Sequence, residues 1–219
     1  LAEKALLLDD SLAEAHASLG ETLTHYYLDW TRAGSELDRA LGLSPSYATA
    51  HMWRATHHLA LGKFTESLTE VMKAVELDPL SMIILTDAAK DLYLARRYDE
   101  AIDQYQKSLQ VDPSFPIAHK GLAEVYVQKG MYEQAIDEIE KAIELSRRSI
   151  FILDDLGYIY ASAGKRESAE KVLGDLSRLA SEEYVPAYGR AMIYAALGDI
   201  DKAMDWLETA YDERGVILY

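Results

Sequence analysis

Small and apolar residues recur along the chain in paired blocks with helical spacing. In the stretch 82–115, MIILTDAAKDLYLARRYDEAIDQYQKSLQVDPSF, Ala88, Ala89 and Leu92 mark one helical stripe. Ala101, Tyr105 and Ser108 mark a second, before the turn at Asp112-Pro113. The same layout begins at Ala48, Met82, Pro116, Ile150 and Tyr184, each 34 residues after the last. The pattern predicts helix pairs over residues 13–47, 48–81, 82–115, 116–149, 150–183 and 184–217, with residues 1–12 as the end of a preceding pair. The first pair is one residue longer, in the loop HYYLDW. Its Tyr26, Tyr27 and Trp30 are expected to pack over an exposed helix end, with a partner contact as the alternative.

Aligned on this period, the chain shows columns. A small residue in the first helix returns as Gly20, Ala55, Ala89, Ala123, Gly157 and Ala191, and another opens the second as Ala33, Ser67, Ala101, Ala135, Ala169 and Ala203. Gly62, Gly130, Gly164 and Gly198 stand between the helices where a left-handed backbone would stop the first, with Arg96 as the costly exception. Leu37, Val71, Tyr105, Ile139, Leu173 and Leu207 form a large apolar column, and Pro45, Pro79 and Pro113 close three repeats. The closes at Ser146-Arg147-Arg148-Ser149 and Ala180-Ser181-Glu182-Glu183 lack the proline and are expected to be held by capping side chains and packing. Pro116 and Pro186 are placed in the first turns of their helices.

This chain resembles the tetratricopeptide repeat family over nearly its whole length. The resemblance implies an all-α fold, a right-handed α-solenoid of antiparallel helix pairs with about six repeats, in one domain over 1–219. Runs such as AEAHASLG, ARRYDEAI and IYAALGDIDKAMDWLETAYDER look like repeat regions fused to bacterial transcription regulators or kinases. That likeness implies the docking or sensory part of a larger bacterial regulator and favours the cytoplasm.

Charge narrows the partner. Of 219 residues, 37 are acidic and 22 basic, a formal charge of −15, which argues against binding phosphate backbones. The absence of cysteine removes disulfides and thiol chemistry. No apolar run is long enough to span a bilayer and no leader pattern is present. The sequence begins mid-pattern and ends in the apolar run Val216, Ile217, Leu218 and Tyr219. It therefore reads as a piece of a longer protein whose exposed ends favour end-to-end self-association, unless the tail folds back.

No catalytic, cofactor or metal motif stands out, and the reading is a non-enzyme. In GYIYASAGKRES six residues separate the glycines where a phosphate loop needs four, and Arg166 stands where Ser or Thr would bind magnesium. His16, His51 and His119 share a first-helix column that ordinarily holds a packing residue, so they are expected in the core.

Resemblance assigns the first helices to a concave groove. Its columns hold Ile83, Thr86, Lys90 and Tyr93; Ile117, Lys120, Glu124 and Val127; Phe151, Asp154 and Tyr158; and Val185, Tyr188 and Met192. The family implies a protein or peptide segment as ligand; self-association or an intramolecular scaffold is the alternative. With no asparagine in the chain, the Lys and Asn carboxylate clamp of the chaperone-binding branch is missing. Lys90 and Lys120 lead to the expectation that an apolar, weakly acidic segment fits best.

Overall fold

The computed structural model describes residues 1–146 and 150–213, the side chains of Ile150 and Phe151 excepted. Among these the chain is all-α, without strands, and forms an α-solenoid of about six helix pairs. Its contacts divide it into two compact units, Leu1–Pro113 and Ser114–Tyr219. The first holds α1 (Ala2–Leu6), α2 (Ala13–Thr22), α3 (Trp30–Leu43), α4 (Ala48–Ala60), α5 (Phe64–Leu77), α6 (Met82–Leu94) and α7 (Tyr98–Val111). The second holds α8 (Pro116–Gln128), α9 (Tyr132–Leu145), α10 (Ile150–Ser162), α11 (Arg166–Leu179), α12 (Ala187–Leu197) and α13 (Ile200–Asp212).

Local chemistry sets the boundaries. Four first helices, α4, α6, α8 and α10, begin at the residues the period predicts. The last, α12, begins at Ala187, because Pro186 takes the N-cap position with φ −55° and ψ 136°. With that extended ψ, Pro186 stands one residue outside the first turn rather than within it, unlike Pro116, which opens α8. Asp29, Ser81 and Asp199 cap their helices by accepting from the backbone N–H groups of Arg32, Ile84 and Lys202. Gly62, Gly130, Gly164 and Gly198 take φ of 70–79°, and Arg96 takes the same left-handed turn at φ 59°. A side chain there costs about 1–2 kcal/mol. The proline-free close at 180–183 is held by hydrogen bonds, with Ser181 Oγ donating to the Arg178 carbonyl at 2.6 Å and the Glu183 N–H to that of Leu179 at 2.9 Å. The Ser146–Ser149 close lies mostly outside the described residues.

Packing follows the columns. Ala55, Ala89, Ala123 and Ala191 are buried, as are Ala33, Ser67, Ala101, Ala135, Ala169 and Ala203, which lets paired helices approach closely. Leu37, Val71, Tyr105, Ile139 and Leu173 fill the space between. Leu207, on the last described helix, stays 38% exposed.

The extra residue of the first pair is absorbed by a π-helical turn over Leu23–Tyr27, ended by Leu28 in the left-handed region at φ 54°. Leu23 and Thr24 point inward, while Tyr26 and Tyr27 stack edge to face at 4.9 Å and remain exposed. They do not pack over a helix end, because the wider turn carries them outward. No described helix is long and apolar enough to cross a membrane. The apolar tail at 216–219 lies outside the described residues.

Candidate functional site

In the first unit, α6 presents Ile83, Lys90 and Tyr93. Ile83 is exposed; Lys90 Nζ lies 3.4 Å from Asp87 Oδ1; the Tyr93 ring tilts against Tyr98 with centroids 6.0 Å apart. Thr86 is buried, its hydroxyl donating within its own helix to the Met82 and Ile83 carbonyls. Burial raises the pKa of Glu21 on α2 above the ordinary value, against His25, whose Nδ1 lies 3.0 Å from its Oε1; Asp87 adds to the rise and Lys90 opposes it.

The second unit carries the richer face. There α10 packs against both α8 and α12, so their predicted columns come together. Ile117 and Tyr188 are 57% and 47% exposed. Between them in sequence register lie Lys120 and Glu124 of α8 and Asp154 and Asp155 of α10. Lys120 Nζ lies 2.5 Å from Glu124 Oε1 and 3.3 Å from Asp155 Oδ2, the latter as a charge contact without a directed hydrogen bond. Asp154 Oδ1 accepts from the Asp155 N–H at 3.0 Å. Gly189 of α12 is seated directly on Asp154.

Electrostatics identify what this face can hold. Burial pushes the Asp155 carboxyl up to about 7; Lys120 opposes that shift, and the Asp154 and Glu124 carboxylates reinforce it. Burial raises Asp154 as well. Burial alone would lower Lys120, yet Glu124 and Asp155 hold it above the ordinary lysine range. One ammonium thus stands among three carboxyl groups. The expected role of Lys120 as free positive charge for an acidic segment is corrected: its ammonium is held inside the cluster by Glu124 and Asp155.

Three other predicted residues sit differently. Val127 is buried in the apolar cluster with Ala135, Ile139 and Ile159, because it falls on the inward stripe of α8. Val185 is buried too, and Tyr158 packs against the clusters on both sides of α10, so both serve the core. Met192 is half-buried on α12, and the Phe151 side chain lies outside the description. Asp155 and Gly189 were missed, although the adjacent Asp154-Asp155 pair was visible in the sequence.

The histidine column also differs from expectation. His16 and His119 are buried and His51 is half-buried, but each ring makes a polar contact. Their Nδ1 atoms lie 2.7, 2.6 and 2.5 Å from Oε2 of Glu36, Glu70 and Glu138, for His16, His51 and His119 respectively. Among the described residues, no group of three or more His, Asp or Glu side chains is arranged to hold a metal ion.

A family profile described as tetratricopeptide repeat matches residues 28–81 and 155–215, more than half of the chain. Related profiles match 89–130 and 121–149. No curated protein matches by sequence. Among solved structures, a tetratricopeptide repeat protein from Parabacteroides merdae is similar at TM-score 0.77 and 18% identity, covering 96% of this chain and 83% of that one. The pilF protein of Pseudomonas aeruginosa gives 0.70 at 21% identity, covering 90% and 89%. YrrB, described as having an unusual peptide-binding site, gives 0.59 at 16% identity, covering 94% and 97%. At these identities the likeness concerns the fold.

Proposed function

The chain belongs to the tetratricopeptide repeat family, and from that premise we propose that it is a protein-interaction module whose second unit holds an extended segment across α8, α10 and α12. The observation that carries this reading is the pairing of exposed Ile117 and Tyr188 with the acid-rich cluster around Lys120. Charge complementarity selects the occupant: an apolar segment bearing lysine or arginine, whose cation would favour the ionised forms of Asp154 and Asp155, which burial otherwise opposes, beside Glu124. In such a role the module would be the docking or sensory part of a larger bacterial regulator, as in the regions it resembles.

The test uses two fluorescein-labelled nonapeptides, one alternating lysine with leucine and tyrosine, the other with glutamate in place of lysine. The lysine peptide is expected to bind and the glutamate peptide not to. Tyr188→Ala is expected to weaken binding about thirtyfold, roughly 2 kcal/mol, because an aromatic anchor in a recess dominates interface energy. Its thermal melt should be unchanged. Equal binding of both peptides overturns the charge assignment. Binding of neither overturns the face as a site, and assembly of the chain without peptide then supports the scaffold alternative.

A further inference from the structure

The helical period turns Leu153, Leu156 and Tyr160 of α10 to one side and Asp154 and Asp155 to the other. On the leucine side a groove opens between α9 and α11. It encloses about 510 Å³, with Leu153, Leu156 and Val172 as its apolar floor, and its rim holds the charged groups Glu140, Lys171, Asp175, Arg178 and Glu183. Arg178 Nη2 lies 3.0 Å from Asp175 Oδ1, so these two answer each other. Glu140, Glu183 and Lys171 make no ion pair among the described residues, which leaves two carboxylates facing one ammonium. Glu140 Oε1 accepts a hydrogen bond from the Tyr160 hydroxyl at 3.2 Å. Burial and the neighbouring Glu140 raise that hydroxyl above the ordinary tyrosine value, so it stays a donor.

The first unit shows how the chain itself occupies the corresponding place. Asp38, Arg54 and His58 stand three 34-residue periods before Glu140, Leu156 and Tyr160. There Arg54 pairs with Asp38, its Nη1 donates to the Gly34 carbonyl at 3.0 Å, and its Nε donates to His58 Nε2 at 3.2 Å. The guanidinium of α4 answers the acid of α3 and a polar ring on its own helix. In the second unit the acid is present as Glu140 and the polar ring as Tyr160, but leucine stands in place of the arginine. The anion is there without its cation.

We propose that the groove between α9 and α11 receives an arginine side chain from a partner protein, with its guanidinium on Glu140 and its stem over Leu153, Leu156 and Val172. Arginine suits both parts of the groove. Its planar head can pair with a carboxylate through two parallel bonds, and its methylenes can lie on apolar surface while the charge stays at the rim. Lys171 on the α11 wall opposes such a cation, and Glu183 offsets it. The groove and the acid-rich face around Lys120 use opposite sides of α10, so the two readings stand or fall separately.

The experiment titrates the full chain, labelled with nitrogen-15, with a capped pentapeptide that sets one arginine among alanine and leucine, and with its citrulline twin, which keeps the shape and drops the charge. The arginine peptide is expected to shift the backbone amides of Glu140, Leu156 and Lys171, and the citrulline peptide to bind there about tenfold more weakly. Glu140→Gln, an exposed exchange that keeps an acceptor for Tyr160, is expected to weaken the arginine peptide by about the same factor. It should leave the lysine nonapeptide at Tyr188 unaffected. Leu156→Arg supplies the cation from within and is expected to close the groove to both pentapeptides; if that variant does not fold, Glu140→Gln decides. Equal binding of the two pentapeptides, shifts confined to α12 around Tyr188, or a Glu140→Gln chain that binds like wild type overturns the inference. So does an equal loss at both faces, which would mean general charge attraction.

Discussion

Gly189→Ala is expected to destabilise the second unit by about 2–3 kcal/mol, although the same exchange inside a helix ordinarily stabilises by roughly 0.5–1 kcal/mol. Gly189 is buried in the first turn of α12, and a methyl group there would overlap Oδ2, Cγ and Cβ of Asp154 on α10. The carboxylate can rotate away, but Cβ is fixed to the α10 backbone, so the two helices would have to separate. They share the cluster around Ile193, Val172 and Leu176, whose packing would open with them. Thermal melts give the sign directly. The rescue is specific: Asp154→Gly should restore stability in the Gly189→Ala background, while Asp154→Ala, which keeps the offending carbon, should not. A more stable Gly189→Ala chain would refute the close approach of α10 and α12.

The second large effect is expected from Asp91 on α6. It is buried, and its Oδ2 lies 2.5 Å from Ser67 Oγ, which lies 2.9 Å from the Ala55 carbonyl oxygen. The serine has one proton for two acceptors when Asp91 is ionised. When Asp91 is protonated it donates to the serine, the serine donates to Ala55, and both bonds are made. Burial raises Asp91 to about 6, against the opposing Ser67 hydrogen bond and Lys90 charge, with Asp87 adding to the rise. The folded state thus holds a proton that the unfolded state, near 3.8, gives up. The ionised carboxyl costs stability above pH 6, by roughly 3 kcal/mol at full effect, and the cost is relieved as pH falls from 6 to 4. Urea unfolding of wild type and Asp91→Asn between pH 4 and 7.5 should show the variant gaining on wild type as pH rises. Parallel curves would mean that Asp91 is solvated in the folded chain.

Helix pairing was legible in the sequence because it rests on recurrence within one repeat. Small residues at Ala101 and Ala135, and the left-handed turn at Arg96, show up in any window that spans the period. Relations between repeats were harder to read. Lys120 meets Asp155 across two successive first helices, and only packing decides that this lysine is neutralised rather than offered to a ligand. Val127 was assigned to the open face although it lies on the inward stripe, and Tyr158 borders two apolar clusters at once. The paired appearance of His and Glu was visible in the columns, yet the contact between each ring and its carboxylate needed the packing of one helix on the other.

A chain built of repeats must also absorb differences of length between them, and the π-helical turn at Leu23–Tyr27 shows how one residue is taken up. Gly20 and Ala55 are 35 positions apart, whereas Ala33 and Ser67 are 34 apart, so the surplus residue falls between Gly20 and Ala33. The widened turn returns the chain to phase before α3 begins, and everything downstream keeps step. An insertion at the end of a first helix is therefore nearly silent to the stacking that follows. The same insertion inside α3 would rotate its apolar stripe by about 100° and set Leu37 facing water. The junction between the helices of a pair is thus where this architecture can lengthen, and the exposed Tyr26 and Tyr27 are the new surface that such a change supplies.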